Sequence, residues 1–338
     1  CAIMFTQNSQ YLQDRGWGYD PQSVLYAQVD DHLMFDKLKK SLNQYSNVEE
    51  ISGGFDHLGV KNSTSLLKQQ EKEYEISTLS IDPNYLSLVG LEMAAGREFI
   101  PNSTADRNGM IVNEKFVSQL SLANPLELEY EIDSTKYTII GVVKDFHFNS
   151  FQSAVEPMVF LVGEEENFKN LIFRVAKGTE LQSLEFLKKE WSSLFPEIPF
   201  RGGLQEDVWG SYFSLLAWLG EFWRIIAYLT VFMAALGLFG MVSLNISGRL
   251  KEFSIKKVLG ASIRHIGLTI VLNYVWLFVI ALAIGTPLSY FLVGFFFDVV
   301  YPYHIPSNME SPLLASIILV GVLWVEVGSL LVKINNAN

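Results

Sequence analysis

The sequence predicts a membrane protein, in which an α-helical bundle of three transmembrane spans is joined to a large α+β domain outside the bilayer. Three observations predict it. The 338 residues are 49% hydrophobic and only 18% charged, where roughly a quarter charged is ordinary. The apolar surplus is gathered into three long runs near the C-terminus. The net charge of −11 lies elsewhere, because residues 16–223 hold 17 Lys and Arg against 31 Asp and Glu. An acidic domain excludes nucleic acid as a partner, since that ligand wants a basic face. A single cysteine excludes a disulfide framework and any cysteine-built metal site.

The spans come first. Residues 225–247 and 267–297 carry no charge, and residues 312–332 carry only Glu326. About 20 apolar residues cross a bilayer, so each run is long enough. The second is longer than one crossing needs, and either Gly285-Thr-Pro287 kinks it or Phe295–Phe297 lies at the interface. Orientation follows from the loops. Residues 248–266 contain Arg249, Lys251, Lys256, Lys257 and Arg264 against one acid, Glu252, whereas residues 298–311 contain no Lys or Arg. Short basic loops stay in the cytoplasm, so the first span runs inward and the acidic domain lies outside. Lys333, after the third span, agrees. Trp209, Tyr212, Phe213, Trp218, Phe222 and Trp223 crowd the entrance to the first span, as interfacial aromatics do. The helical spacing of Trp209, Phe213, Leu216 and Gly220 equally fits an amphipathic stalk over 206–223. Glu326, only seven residues from Lys333, reads more simply as a side chain snorkelling to the inner face than as an intramembrane functional group. The N-terminus, Cys1-Ala-Ile-Met-Phe5, is apolar before the chain turns polar at Thr6; residues 1–15 read as the tail of a preceding transmembrane helix plus a linker. A frayed end and an acylated lipoprotein cysteine are the alternatives.

The outer domain mixes both periodicities. Val24–Val29, Glu75–Leu79, Gly109–Val112, Tyr137–Val143, Pro157–Val162 and Leu171–Val175 are short and rich in β-branched and aromatic residues, which predicts strands. His32–Leu42, Pro83–Leu88, Asn113–Leu120 and Thr179–Leu194 predict helices, the last capped by Thr179 and stopped by Phe195-Pro196. The elements alternate without a regular βαβ rhythm, and two subdomains divided near Lys72–Glu73 are expected.

Chemical signatures are missing. Gly54-Phe-Asp-His-Leu-Gly59-Val-Lys61-Asn62 has its lysine displaced and no hydroxyl for magnesium, so it is no phosphate loop. Neither a Gly-x-Ser-x-Gly elbow nor a His-Glu-x-x-His pair occurs. The five histidines (32, 57, 147, 265, 304) are scattered. Asp145 and His147, in Lys144-Asp-Phe-His147, read as a strand-end turn with locally satisfied polar groups rather than as a catalytic pair. No catalytic residue, metal site or cofactor is expected.

One segment is specific. Arg249-Leu-Lys-Glu-Phe-Ser-Ile-Lys-Lys-Val-Leu-Gly-Ala-Ser262 closely resembles the cytoplasmic signature of MacB/FtsX-type ABC transporter permeases, R-x-K-E-[IF]-[GS]-[IV]-[RK]-[KR]-[VA]-[LF]-G-A-[ST]. Ala235-Leu-Gly-Leu-Phe-Gly240 resembles the same family's first C-terminal helix. Asp82-Pro-Asn-Tyr-Leu86 through Gly96-Arg-Glu-Phe99, Ile111-Val-Asn-Glu114 and Ile140-Gly-Val-Val-Lys-Asp-Phe-His147 resemble its outer-domain motifs in the Bacteroidetes-like version. The likeness runs from about Gly16 to Val332. It implies a MacB-like periplasmic core domain at 16–205 and an FtsX-like permease domain at 224–334. It also implies a family fold of four transmembrane helices per unit, the first of which this chain lacks except for Cys1–Phe5.

The implied function is that of a permease subunit in the bacterial inner membrane. A separate ABC ATPase would bind the cytoplasmic segment and drive motion of the periplasmic domain, exporting or releasing periplasmic cargo. The residues of the segment suit such docking. Phe253, Ile255, Val258 and Leu259 offer apolar anchors, Arg249, Lys251, Glu252, Lys256 and Lys257 offer polar contacts, and Gly260-Ala261 allows a tight turn. Ala234, Ala235, Gly237 and Gly240 present small residues for close helix packing, within the subunit or across a homodimer or pseudo-dimer. A membrane-tethered sensor or regulator of cell-wall hydrolases, without transport, is the alternative reading.

Overall fold

The computed structural model describes residues 2–14, 16–60, 63–69, 72–149, 154–248, 263–301, 303–306, 310, 313–318, 320 and 321. They form two units, one of Arg15–Phe213 and one of Cys1–Asp14 with Ser214–Asn338. In chain order the elements are α1 (Ala2–Asp14), β1 (Val24–Gln28), α2 (His32–Leu42), β2 (Val48–Gly54), β3 (Ser63–Gln69), β4 (Lys72–Ile81), α3 (Tyr85–Val89), β5 (Met93–Gly96), β6 (Gly109–Asn113), α4 (Glu114–Gln119), β7 (Glu129–Ile132), β8 (Thr135–Val143), β9 (Met158–Val162), β10 (Asn170–Val175), α5 (Glu180–Leu194), β11 (Gly202–Leu204), α6 (Gly210–Gly248) and α7 (Ile263–Val300).

All eleven strands belong to the first unit and to one mixed sheet, in the order β11-β1-β10-β2-β4-β3-β7-β8-β6-β9, with β5 on β8. Most pairs are antiparallel; β4 with β9 and β6 with β8 are parallel. Because β9 also pairs with β4, the strands β4-β3-β7-β8-β6-β9 close into a ring. The four-strand ladder β11-β1-β10-β2 joins that ring through one residue pair, Gly54 with Ile81.

Side-chain parity explains the layers. Along β1, Val24 and Tyr26 face a central core with Ile81, Tyr85, Phe146 and Phe160, while Leu25 and Ala27 face helices α2 and α5. On β6, Ile111 enters the same central core, whereas Met110 and Val112 meet Phe116 of α4 and Tyr130 of β7. A strand covered on both faces reads as an unbroken apolar run, which is why these strands stand out in the sequence. Local signals place the helices. Asp31 Oδ1 accepts from Met34 N at 2.8 Å and starts α2. Asn113 Oδ1 accepts from Phe116 N at 3.1 Å and starts α4. Both are N-cap bonds. Thr179 precedes α5 as expected, but its hydroxyl donates to the Ala176 carbonyl instead of capping the helix.

The six strands and four helices expected in this domain all form, with ends displaced by up to three residues. Five further strands form that the sequence pattern does not signal. β3 is largely polar, β7 is only the four residues Glu129–Ile132, and β2, β5 and β11 are rich in Gly or Ala or very short. The expected division near Lys72–Glu73 is corrected: those residues begin β4, which pairs with β3 from Gln69↔Lys72 to Ser63↔Thr78, so the sheet runs straight through.

In the second unit α6 and α7 are 39 and 38 residues long. Tyr212–Met241 and Val279–Val300 are apolar and long enough to cross a membrane, with mean hydropathies of 1.8 and 2.0. α7 continues through Pro287. Thr286 Oγ1 lies 3.2 Å from Ser316 Oγ, in a further helical piece at 313–318. Most of residues 312–332 lies outside the described residues. The N-terminal helix α1 runs through the polar residues up to Asp14. Its Met4, Asn8 and Leu12, four apart, are buried. Met4 packs with Val293 and Phe297, Phe5 stacks on Trp223 at 5.0 Å, and Asn8 Oδ1 accepts from Ile305 N at 2.9 Å.

Candidate functional site

In the outer domain, polar side chains meet inside the apolar core. The β2–β3 connection supplies His57, α3 supplies Tyr85, the segment before β1 supplies Tyr19, and the 3₁₀ turn Gln205–Trp209 supplies its first and last residues. His57 and Gln205 are wholly buried. His57 Nδ1 lies 2.7 Å from Tyr85 Oη, and Nε2 lies 2.7 Å from Gln205 Oε1. Gln205 Nε2 donates to Tyr19 Oη at 3.1 Å and to the Leu58 carbonyl at 3.2 Å. Trp209 Nε1 also donates to Tyr19 Oη, at 3.3 Å, and Leu58 N donates to Tyr85 Oη at 3.2 Å.

The partners assign the histidine tautomer. An amide oxygen only accepts, so Nε2 carries the proton and Nδ1 accepts from Tyr85. Burial pushes the His57 pKa down from 6.5 to about 4, although the Gln205 bond opposes the shift. Burial likewise pushes Tyr19 up to about 12 and Tyr85 well above the usual tyrosine value. All three rings are therefore neutral at pH 7. The Tyr26 and Tyr85 rings flank His57 at 5.2 and 5.9 Å. A histidine sealed in this way meets no substrate; the cluster holds elements together rather than doing chemistry.

Glycines let the backbone close on it. Gly59 has φ +73, and a Cβ there would lie 2.5 Å from Val208 Cγ1. Gly18 has φ +83, and a Cβ there would lie 2.6 Å from Phe146 Cα. Side chains are strained in this region of φ, so both positions require glycine.

Two other polar sites are structural. Arg97 grips Asp106 with both terminal nitrogens at 2.7 Å, and Asp106 also accepts from Ile100 N at 2.8 Å. The Arg97 guanidinium holds the Asp106 carboxyl below the usual carboxylate range. Asp145 Oδ1 accepts from Lys115 N at 2.8 Å, and Asp145 N donates to Glu114 Oε2 at 3.2 Å. Burial raises the Asp145 pKa. His147 donates its backbone N–H to the Trp17 carbonyl at 2.8 Å. Asp145 thus secures the start of α4, as a strand-end turn would. No group of three metal-ligating side chains occurs among the described residues.

The sequence-predicted site residues fall in two places. Arg249, Lys251, Glu252, Phe253, Ile255, Lys256, Lys257, Val258, Leu259, Gly260 and Ala261 lie outside the described residues. Ala234, Ala235, Gly237 and Gly240 lie on α6, and a Cβ at either glycine would meet open space. Of the aromatics expected at the membrane entrance, Trp209 is instead buried in the outer domain, while Trp218 and Phe222 are exposed. Sequence reasoning misses the buried cluster itself. Its one sequence trace is the short Gly54–Gly59 segment around His57.

Comparison with known proteins decides the family. The model of the MacB-like periplasmic core domain matches residues 5–186, more than half of the chain, and the model of the FtsX-like permease C-terminal domain matches residues 224–338. The chain belongs to the MacB/FtsX family of ABC transporter permeases. Such permeases are the membrane component of an ABC transporter and generally not themselves catalytic. No curated protein matches the chain. Among solved structures, the extracellular domain of the noncanonic ABC-type transporter YknZ from Gram-positive bacteria is 13% identical, with a TM-score of 0.39, over 54% of this chain and 97% of that one. The periplasmic region of MacB from Actinobacillus actinomycetemcomitans is 13% identical, with a TM-score of 0.42, over 60% of this chain and 98% of that one. A domain of a putative permease from Porphyromonas gingivalis is 15% identical, with a TM-score of 0.33, over 53% of this chain and 85% of that one. In this MacB/FtsX-family chain the outer domain is the α/β unit of Arg15–Phe213, and α6 and α7 are its two long apolar helices.

Proposed function

We propose that this permease converts ATP hydrolysis by a partner ATPase into motion of the periplasmic domain, which moves or releases periplasmic cargo. The observation that carries the reading is the pairing, in one chain, of an FtsX-like domain at 224–338 with a MacB-like core domain ahead of it. Three spans, 225–247, 267–297 and 312–332, would put residues 16–205 in the periplasm and 248–266 in the cytoplasm; the stalk expected over 206–223 is corrected to begin at Gly210, because the turn Gln205–Trp209 is buried in the outer domain. The charge asymmetry of the two loops supports that orientation. Spans almost free of charged side chains favour transmitted motion over conduction of a polar solute. The basic segment from Arg249 to Ala261 is the docking point for the ATPase, with Phe253 as its apolar anchor. The working unit is a homodimer or a pseudo-dimer.

The test is co-purification. Full-length tagged chain is expected to retain an ABC ATPase, and Phe253→Ala or Gly260→Val is expected to reduce the retained ATPase at least tenfold while the permease stays in the membrane. A wild-type chain that never co-purifies with an ATPase, together with both variants leaving cellular function intact, overturns the proposal.

A further inference from the structure

We infer that the open edge of β5 and the groove beside it bind an extended peptide segment of a partner protein, one that carries aliphatic side chains at alternate positions and basic residues at its ends. The site lies wholly within the outer domain and does not depend on the permease reading.

β5 (Met93–Gly96) pairs with β8 alone, and no described strand covers its far edge. Ala94, Ala95 and Gly96 are exposed. An open edge presents unpaired N–H and C=O groups, and proteins commonly guard it with charge, proline or a covering element. The strand itself reads Met-Ala-Ala-Gly, without charge or proline; a register shift against β8 between Met93 and Ala95 is its one irregularity. Its side chains are too small to fend off a second strand.

The same alanines form one wall of an open groove of about 350 Å³. Val142 of β8 lies at its base, and Val117 of α4 with Leu122 and Pro125 forms the other wall. The groove exists because α4 packs chiefly over β6 and β9 and leaves this face of β5 open. The far wall is fixed by the end of α4. Ser121 has φ +52, and the Ser121 and Leu122 amides donate to the Ser118 and Val117 carbonyls at 3.2 and 3.0 Å, a closure that usually takes glycine. A preformed wall lowers the cost of binding. A strand added to β5 directs every second side chain toward this groove, so main-chain bonds supply affinity and the groove supplies selectivity.

Charge decides the occupant. Glu114 is the one ionisable residue among the described lining, and Glu127 stands two residues beyond Pro125. Neither forms an ion pair among the described residues. A basic segment is attracted to this rim. A second copy of this chain would bring an equally acidic domain against it, with 17 Lys and Arg to 31 Asp and Glu over residues 16–223, and like charges repel.

The test uses the full chain in discs of zwitterionic lipid. The probe is a fluorescent peptide, Lys-Val-Ser-Val-Ser-Val-Lys, followed by anisotropy. One companion carries Glu in place of both Lys, and another carries N-methyl groups on its Val residues. The Lys probe is expected to bind at least tenfold more tightly than either companion and to slow hydrogen exchange of the amides at 94–96 at least tenfold. Ser118→Arg fills the groove and adds a repelling charge, and is expected to weaken the probe at least tenfold. Ser192→Arg, exposed on α5 with a comparable hydroxyl bond to its own helix, leaves binding unchanged. Glu114→Gln combined with Glu127→Gln is expected to narrow the preference for the Lys probe at least threefold. Absence of binding, equal binding of the N-methylated probe, protection of amides elsewhere, or undiminished binding by a folded Ser118→Arg overturns the proposal. A wild-type dimer that Ser118→Arg dissociates, read by sedimentation, assigns the groove to a second copy and also overturns it. Should Ser118→Arg fail to fold, the exchange footprint on wild type decides. Failure of the chain to retain an ATPase overturns the permease reading and leaves this site standing.

Discussion

Acidification tests the buried state of His57 directly. Its pKa falls from 6.5 to about 4 on folding, because burial disfavours the charged ring. The folded state therefore binds fewer protons than the unfolded state between these values. The stabilisation is complete above pH 6.5 and is lost as pH falls toward 4. Linkage sets the loss at about 2 kcal/mol by pH 5 and about 3 kcal/mol by pH 4. For a domain of this size about 2 kcal/mol corresponds to a fall of roughly 4–8 °C in melting temperature. Other groups titrate over the same range and in both directions: burial raises Asp82 and Asp145, and Arg97 lowers Asp106. The informative quantity is therefore the difference between wild type and His57→Gln, measured by calorimetry of the outer-domain transition in the full chain at pH 7.5, 5 and 4. Wild type is expected to lose about 2 kcal/mol more than the variant between the first two values. Parallel pH profiles for the two proteins would refute the argument that His57 is buried neutral.

Two further outcomes follow from the fold. Asp106→Ala leaves Arg97 without its partner and Ile100 N without its acceptor, and is expected to cost about 2–3 kcal/mol in urea unfolding; the Asp106 contribution should also fade as pH drops through the carboxylate range, because its folded pKa is depressed. Gly96→Ala and Gly178→Ala share a left-handed backbone (φ +73 and +84), but a Cβ at Gly96 collides with the Ile140 carbonyl oxygen whereas one at Gly178 meets open space. The first is expected to lose about 3 kcal/mol or more and the second about 1 kcal/mol, read from urea midpoints.

How legible each element is in the sequence depends on whether its cause is local. α2 is found at its true ends, His32–Leu42, because the Asp31 cap and the buried Met34, Phe35, Leu38 and Leu42 all lie within that stretch. β6 and β10 are legible because burial on both faces makes them apolar throughout. β3 and β7 are not, because their places come from pairing with β4 and β8, the residues of β3 being mostly polar and β7 being only four residues long. The His57 cluster is the extreme case. Its partners Tyr85 and Gln205 lie 28 and 148 residues away, and a lone histidine two residues before a glycine carries no pattern. Trp209 misleads for a related reason. Its spacing fits a stalk helix, but the hydrogen bond that pulls it into the domain ends on Tyr19, 190 residues earlier.

The His57 cluster lies beside the link between the two parts of the sheet. His57 follows Gly54 by three residues and Tyr85 follows Ile81 by four, and Gly54↔Ile81 is the one strand pair linking the ladder β11-β1-β10-β2 to the closed ring. The seam is reinforced by Phe55 N to the Ser80 carbonyl at 2.8 Å and Asp82 N to the Gly53 carbonyl at 2.9 Å, by Asn84 Nδ2 to the Ile51 carbonyl at 3.1 Å, and by Arg174 Nε to the Leu88 carbonyl at 2.9 Å. The two halves also share the central core, where Val24 and Ile172 of the ladder pack with Ile81, Ile111 and Phe160 of the ring, in addition to a core of the ladder under α2 and α5 and a core of the ring beside α4. The ring has no open edge through which its strands can slip, and the ladder is braced by two helices, so both halves resist bending.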